Sequence, residues 1–148
     1  MVIVTDPKIL KEKSKEIPTS PIPEGYFRLI KDLEVALAES ERKGVGLSAI
    51  QIAVPLRVAI IRSNTLNLDL YNTKILEASE VIKFKDEGCL SVPNKYVDTY
   101  RMNKIKILNG DGKVYDLQGL AAIIVQHEMD HWDGITILDR EIKDQGGI

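Results

Sequence analysis

Gln126-His127-Glu128-Met129-Asp130-His131 places two imidazoles four residues apart with a carboxylate between them. On an α-helix, positions i and i+4 lie one above the other on the same face. His127 and His131 can therefore grip one metal ion while Glu128 sits beside it as a proton carrier. The chain has only these two histidines, and committing both to metal-ligand spacing points to a metalloenzyme. A lone histidine near a helix end would read as a cation favoured by the helix dipole. The pair, on an otherwise apolar face, reads as a metal site. Spacing alone does not separate a peptidase from another hydrolase.

Two imidazoles leave a catalytic centre one protein ligand short, because such centres commonly use three and keep a position open for water. The candidate third ligand is Cys89, in Glu87-Gly88-Cys89-Leu90-Ser91-Val92-Pro93. A lone cysteine is most often a small buried hydrophobe. Here Gly88 lets the backbone approach closely, Pro93 stiffens the exit, and Glu87 can accept an N–H from a ligand histidine. Cysteine plus two histidines with one open position is a hydrolase-type centre. A third segment, Gly44-Val45-Gly46-Leu47-Ser48-Ala49-Ile50-Gln51, is weaker by itself. It lacks the third glycine of a dinucleotide-binding turn and the Lys-Ser/Thr of a phosphate loop. On composition it is a helix cap and a loop, with Gln51 a surface amide.

These residues need rigid elements to hold them. In residues 120–132, Leu120, Ile123, Ile124, His127, Glu128 and His131 fall on one helical stripe, and the remaining faces are apolar too. The spacing predicts a helix buried on several sides, a stiff platform for a metal site, closed by Gly134. Residues 8–16 read as a short helix, and 17–24, with Pro18, Pro21 and Pro23, as an extended connector. Residues 25–43 read as a long helix burying Phe27, Ile30, Leu33, Ala36 and Leu37, and ended by Gly44. Residues 56–62 read as a central strand and 75–85 as a second. Residues 100–108 and 114–117 flank Asn109-Gly110-Asp111-Gly112, a strong hairpin turn signal. Strands in the middle with helices on either side predict an α+β fold, with mainly antiparallel strands around the buried helix that carries the histidines.

The totals set limits. A chain of 148 residues suits a single domain with a real core, taken here as 1–148. Net charge −2 with no run of like charge argues against direct nucleic-acid binding. The longest uncharged apolar run, 119–125, is too short to span a bilayer. The N-terminus meets Asp6 and Pro7 too early for a secretory signal. One cysteine cannot form an internal disulfide, which suits a reducing compartment.

Together the three motifs resemble the peptide deformylase family, whose pattern is Gly-x-Gly-hydrophobic-Ala-Ala-x-Gln, then Glu-Gly-Cys-hydrophobic-Ser, then Gln-His-Glu-x-x-His. The counterparts here, Gly44 to Gln51, Glu87 to Ser91 and Gln126 to His131, come in the same order. The resemblance implies that Cys89, His127 and His131 bind one divalent metal ion with water as fourth ligand. Ferrous iron is expected in the cell, and zinc, nickel or cobalt can occupy the site. It implies removal of the formyl group from the N-terminal formylmethionine of nascent peptides, releasing formate. Metal-activated hydroxide would attack the formyl carbon, Gln51 and the Leu90 N–H would hold the oxyanion, and Glu128 would carry the proton. Val45 and Gly46 would pair with the peptide as an added strand. Val45, Leu120, Ile123 and Ile124 would line the methionine pocket. Glu87 is also placed on the substrate side.

Some positions depart from the family pattern. Ser48 and Ile50 alter the first motif, and Lys95 and Tyr96 replace arginine-rich neighbours. Lys43 stands where many members carry an acid that pairs with an arginine, here Arg101, leaving Glu41 as its substitute. The chain stops at Ile148, soon after Arg140, without the C-terminal helix implicated in docking to the ribosome. A monomer acting in a bacterial cytoplasm, or phage-encoded and acting in a host, is expected. The competing readings are a zinc peptidase cutting internal bonds and a deformylase-like protein that binds peptide or metal without turnover.

Overall fold

The computed structural model describes residues 2–143. In chain order the elements are α1 (Pro7–Leu10), α2 (Glu24–Glu39), β1 (Gly46–Ser48), β2 (Val58–Arg62), β3 (Asn67–Tyr71), β4 (Lys74–Cys89), β5 (Val92–Leu108), β6 (Val114–Gln118), α3 (Leu120–Trp132) and α4 (Ile137–Arg140), with a 3-10 turn at Ala49–Ile52. The strands form two antiparallel sheets of three, ordered β1-β2-β3 and β4-β5-β6. Helix α3 packs against strands of both. This is the α+β architecture expected from the sequence.

β2 shows why the expected central strand carries a continuous apolar run rather than an alternating one. Its side chains alternate between two covered faces. Val58 and Ile60 join the cluster with Leu29, Ile30, Leu33 and Ala36 of α2. Ala59 and Ile61 join the cluster with Ala122, Ile124, Val125 and Trp132 of α3. Each fully buried aliphatic side chain of this kind contributes about 1.5–3 kcal/mol. Trp132 is completely buried and its Nε1 donates to the Val58 carbonyl at 3.3 Å.

Helix α2 differs from the expected stripe. Tyr26 and Leu29 are buried with Ile30, Leu33 and Ala36, whereas Phe27 is 66% exposed and meets Tyr26 edge-on. The apolar arc is rotated by one residue, because Tyr26 fills the gap against Tyr71 at 5.0 Å. The helix stops at Glu39, with Ser40 already extended, so Gly44 is not its cap. Gly44 instead meets the Leu90 and Leu37 side chains, whose δ carbons would lie 2.6 and 3.1 Å from any added Cβ. The first helix is shorter than expected, because only Pro7–Leu10 is helical, started by the Asp6 side chain accepting from the Lys8 N–H.

β4 and β5 form a hairpin much longer than the expected strands, turning at Leu90 and Ser91 between Cys89 and Val92. The pairing shifts register between Phe84 and Glu87 and again at Gly88–Cys89. Such irregularities re-aim side chains near a site. The expected Asn-Gly-Asp-Gly turn is present between β5 and β6, and Asn109 also ties the sheets together. Its Oδ1 accepts from the Tyr71 N–H and Thr73 Oγ1, and its Nδ2 donates to the Asp69 carbonyl. No helix among the described residues is long and apolar enough to cross a membrane. The expected lack of a C-terminal helix beyond Arg140 bears largely on residues 144–148, which lie outside the described residues.

Candidate metal centre and cleft

Helix α3 contains neither glycine nor proline and opens after Gly119, whose φ of 64° combined with ψ of −140° suits a residue without a Cβ. It closes in a Schellman arrangement. Gly134, at φ 74°, donates to the His131 carbonyl, and Ile135 donates to the Asp130 carbonyl. A Cβ at Gly134 would lie 2.4 Å from the Lys11 carbonyl oxygen, so this glycine is also required by close approach. The helix is thereby held at both ends, and the His127–Glu128–His131 face is presented to the end of β4.

There Cys89, the last residue of β4, brings its Sγ within 3.5 Å of His131 Nε2. One donor atom from each of Cys89, His127 and His131 lies within 4.8 Å of the others. His127 Nδ1 is 2.6 Å from Glu87 Oε2, which leaves its Nε2 to face the centre. Burial holds His131 well below the usual imidazole range, so it is neutral with a lone pair to offer. Burial also opposes the His127 cation, but the hydrogen bonds that cation donates to Cys89 and Glu87 outweigh it and raise that pKa. Burial would raise Glu87 as well, yet hydrogen bonds from His127 and Arg101 hold it down at about 2, so it is a fixed carboxylate. A thiol and two imidazoles at this spacing, one of them oriented by a carboxylate, fit a four-coordinate divalent ion.

Glu128 is 3% exposed and points to the same place from α3. Burial raises its pKa, offset in part by His127 and Ser48. Ser48 Oγ lies 2.8 Å from the Glu128 carbonyl oxygen and 3.1 Å from its Oε1. The sequence marked Ser48 only as a departure from the first motif, but it touches the carboxylate. Gly46 backs the other oxygen, because an added Cβ would sit 2.7 Å from Glu128 Oε2 and 3.1 Å from the Ile60 carbonyl oxygen. Gln51 is not a surface amide. It is 1% exposed, accepts from the Ser48 N–H, and directs Nε2 at Ser91 Oγ (3.0 Å) and Cys89 Sγ (3.8 Å).

A cavity of about 300 Å³ opens beside these groups. Val45, Gly46, Leu90, Leu120, Ile123 and Ile124 line it along with Gln51, Cys89, His127 and Glu128. Glu87, expected on the substrate side, also borders this cavity. It is 4% exposed, and its two carboxylate oxygens are held by Thr99, Arg101 and His127. Arg101 does not need Glu41, because its guanidinium holds Glu87 and Asp130. Sequence reasoning missed Thr99, Asp130 and Arg140 as parts of this network. Asp130, within the histidine motif, was the one available signal.

The polypeptide deformylase family model matches residues 1–146. A peptide deformylase of Aquifex aeolicus (strain VF5) is 38% identical over 94% of this chain and 85% of its own length. One from Mesorhizobium japonicum is 34% identical over 97% and 84%. The crystal structure of a peptide deformylase from Thermotoga maritima superimposes with a TM-score of 0.83 at 28% identity, covering 97% of both chains. That of the Vibrio parahaemolyticus bacteriophage VP16T, in complex with actinonin, gives 0.80 at 30% identity over 92% of this chain and 99% of its own. Three sequence motifs folded into one cleft, a family model spanning nearly the whole chain and a shared architecture agree, and the chain belongs to the polypeptide deformylase family.

Proposed function

We propose that this chain removes the formyl group from the N-terminal formylmethionine of nascent peptides, releasing formate. The observation that carries the reading is one cleft in which Cys89, His127 and His131 converge beside Glu128, Gln51 and an apolar pocket. Those three donors would hold a divalent ion, ferrous iron in the cell by family resemblance. Thiolate with imidazole equally suits zinc, nickel or cobalt. When bound, such an ion lowers the pKa of water and polarises a carbonyl.

The remaining chemistry belongs to this chain's residues. Glu128, buried and braced by Ser48, takes the proton from the attacking water and returns it to the departing amine. Gln51 Nε2 and the Leu90 N–H supply donors to the oxyanion that develops on the formyl group. Gln51 is fixed for this by its own Oε1, which accepts from the Ser48 N–H. Among the described residues β1 pairs on one side, with β2, where the Arg62 N–H also takes the Val45 carbonyl; the main-chain groups of Val45 and Gly46 that remain would pair with an extended peptide on the other side. Val45, Leu120, Ile123 and Ile124 receive the methionine side chain, an unbranched thioether that fits a narrow apolar slot. Residues 1–148 act as one catalytic domain in this reading, and the protein works as a monomer on nascent chains.

The test is formate release from a short formyl-methionyl peptide by anaerobically prepared ferrous protein. Release supports the reading. Peptide binding without release from folded, metal-loaded protein would overturn it in favour of a binding protein.

A further inference from the structure

We propose that the C-terminal strap, residues 136–142, holds the ligand His127 in place through a relay of ion pairs that begins at Arg140. The inference rests on the reading that Cys89, His127 and His131 hold a metal ion. Arg140 grips Asp130 with a fork, Nη2 to Oδ1 at 2.9 Å and Nε to Oδ2 at 3.1 Å. Asp130 Oδ2 also accepts from Arg101 Nη1 at 2.6 Å. Arg101 turns its other edge to Glu87, Nε to Oε1 at 2.9 Å and Nη2 to Oε2 at 2.6 Å. Glu87 Oε2 then meets His127 Nδ1 at 2.6 Å. Each link is charge-assisted, and both arginine–carboxylate forks fix orientation as well as distance.

The strap has a second hold on the same carboxylate. Glu141 forms an antiparallel bridge with Thr99, and the Ile142 N–H donates to the Asp98 carbonyl at 2.8 Å. Thr99 Oγ1 in turn donates to Glu87 Oε1 at 2.7 Å. Both oxygens of Glu87 are therefore held by groups that the strap positions. Charge explains why Arg140 matters. The side chains of Arg101, Glu87 and Asp130 are 3%, 5% and 11% exposed. Without Arg140, one guanidinium would serve two carboxylates there, poorly screened by water. Arg101 would be drawn toward Asp130 and its grip on Glu87 would loosen. Arg140 does not line the cavity and is a positioning residue, not a catalytic one.

The experiment measures the zinc dissociation constant by competition with a chromophoric chelator, for the unaltered chain, Arg140→Ala, Arg140→Lys and Arg57→Ala. Arg57 pairs with Asp133 at 2.8 Å, just beyond the C-terminal end of α3, without reaching Glu87, and so controls for the loss of an ion pair at that end of the helix. Arg140→Ala is expected to weaken zinc binding about tenfold, the lower end of the effect of removing a ligand's outer partner. Arg140→Lys, which keeps charge but not the fork, falls between, and Arg57→Ala binds as the unaltered chain does. The cobalt-loaded Arg140→Ala protein shows a shifted visible absorption band, with KM for peptide unchanged. Equal zinc affinities in the unaltered chain and Arg140→Ala would overturn the strap alone. Were Arg140→Ala not to fold, equal affinity in Arg140→Lys would do the same. Failure of the unaltered chain to bind zinc tightly would overturn the metal reading, and the strap with it.

Discussion

Replacing Gly46 by alanine probes how closely the backbone of β1 must approach the catalytic carboxylate. The new Cβ would lie 3.1 Å from the Ile60 carbonyl oxygen, on the neighbouring strand, and 2.7 Å from Glu128 Oε2. The strand oxygen is fixed by pairing between β1 and β2, where Gly46 faces Ile61. The carboxylate must therefore yield, by about 0.7 Å to reach ordinary contact at 3.4 Å. Misplacing a reacting group by about 1 Å can cost about a hundredfold in rate, so a fall in kcat of roughly ten- to a hundredfold is expected. The three atoms nearest the new Cβ belong to Glu128 and Ile60 and none to Cys89, His127 or His131, so metal content is expected to stay unchanged. Alanine also restricts the unfolded chain, worth about 0.4–1 kcal/mol, so thermal stability changes little. The assay is steady-state formate release at matched metal content, with Gly44→Ala beside it. At Gly44 the clash is with the ends of the Leu90 and Leu37 side chains, which can swing aside, and kcat falls less. Full kcat in Gly46→Ala, with a folded and metal-loaded protein, would refute the placement of Glu128 as proton carrier.

Ser48→Ala removes the hydroxyl 3.1 Å from Glu128 Oε1 and the cap of the 3-10 turn. It is expected to lower kcat about tenfold and stability by about 1 kcal/mol, read from kinetics and denaturant melts. Arg101→Met leaves Glu87 and Asp130 without their shared partner and is expected to destabilise the fold by about 3–5 kcal/mol, measured by urea unfolding. Stripping the metal with a chelator should abolish formate release and lower Tm, and adding back zinc or ferrous iron should restore both, because an ion that binds only the folded state stabilises it.

Much of the molecule was readable because local pattern and tertiary demand agree. Helix α3 announces itself through a stripe of apolar residues ahead of Gly134, which closes it as expected, whereas the role of Gly119 at its start shows only in the structure. β2 was legible from its unbroken apolar run, and the β5–β6 turn from Asn109 to Gly112. β1 was not, because its Gly46–Ser48 segment spans only three residues and its existence depends on pairing with β2. The rotation of α2 that exposes Phe27 was invisible because Tyr26 and Phe27 are adjacent and equally apolar to a periodicity argument. The partners of Glu87 were hidden for a different reason. Thr99, Arg101, Asp130 and Arg140 come from β5, α3 and α4, and no sequence spacing foretells which charges meet when those elements pack.

The most direct measurement compares formate release by the unaltered ferrous protein with that by Glu128→Ala at equal iron content. Release by the unaltered chain and a loss of about a hundred- to ten-thousandfold in the variant, with iron affinity retained, is the expected result. Undiminished release in Glu128→Ala, or none from the unaltered iron-loaded protein, would contradict the assignment of this cleft.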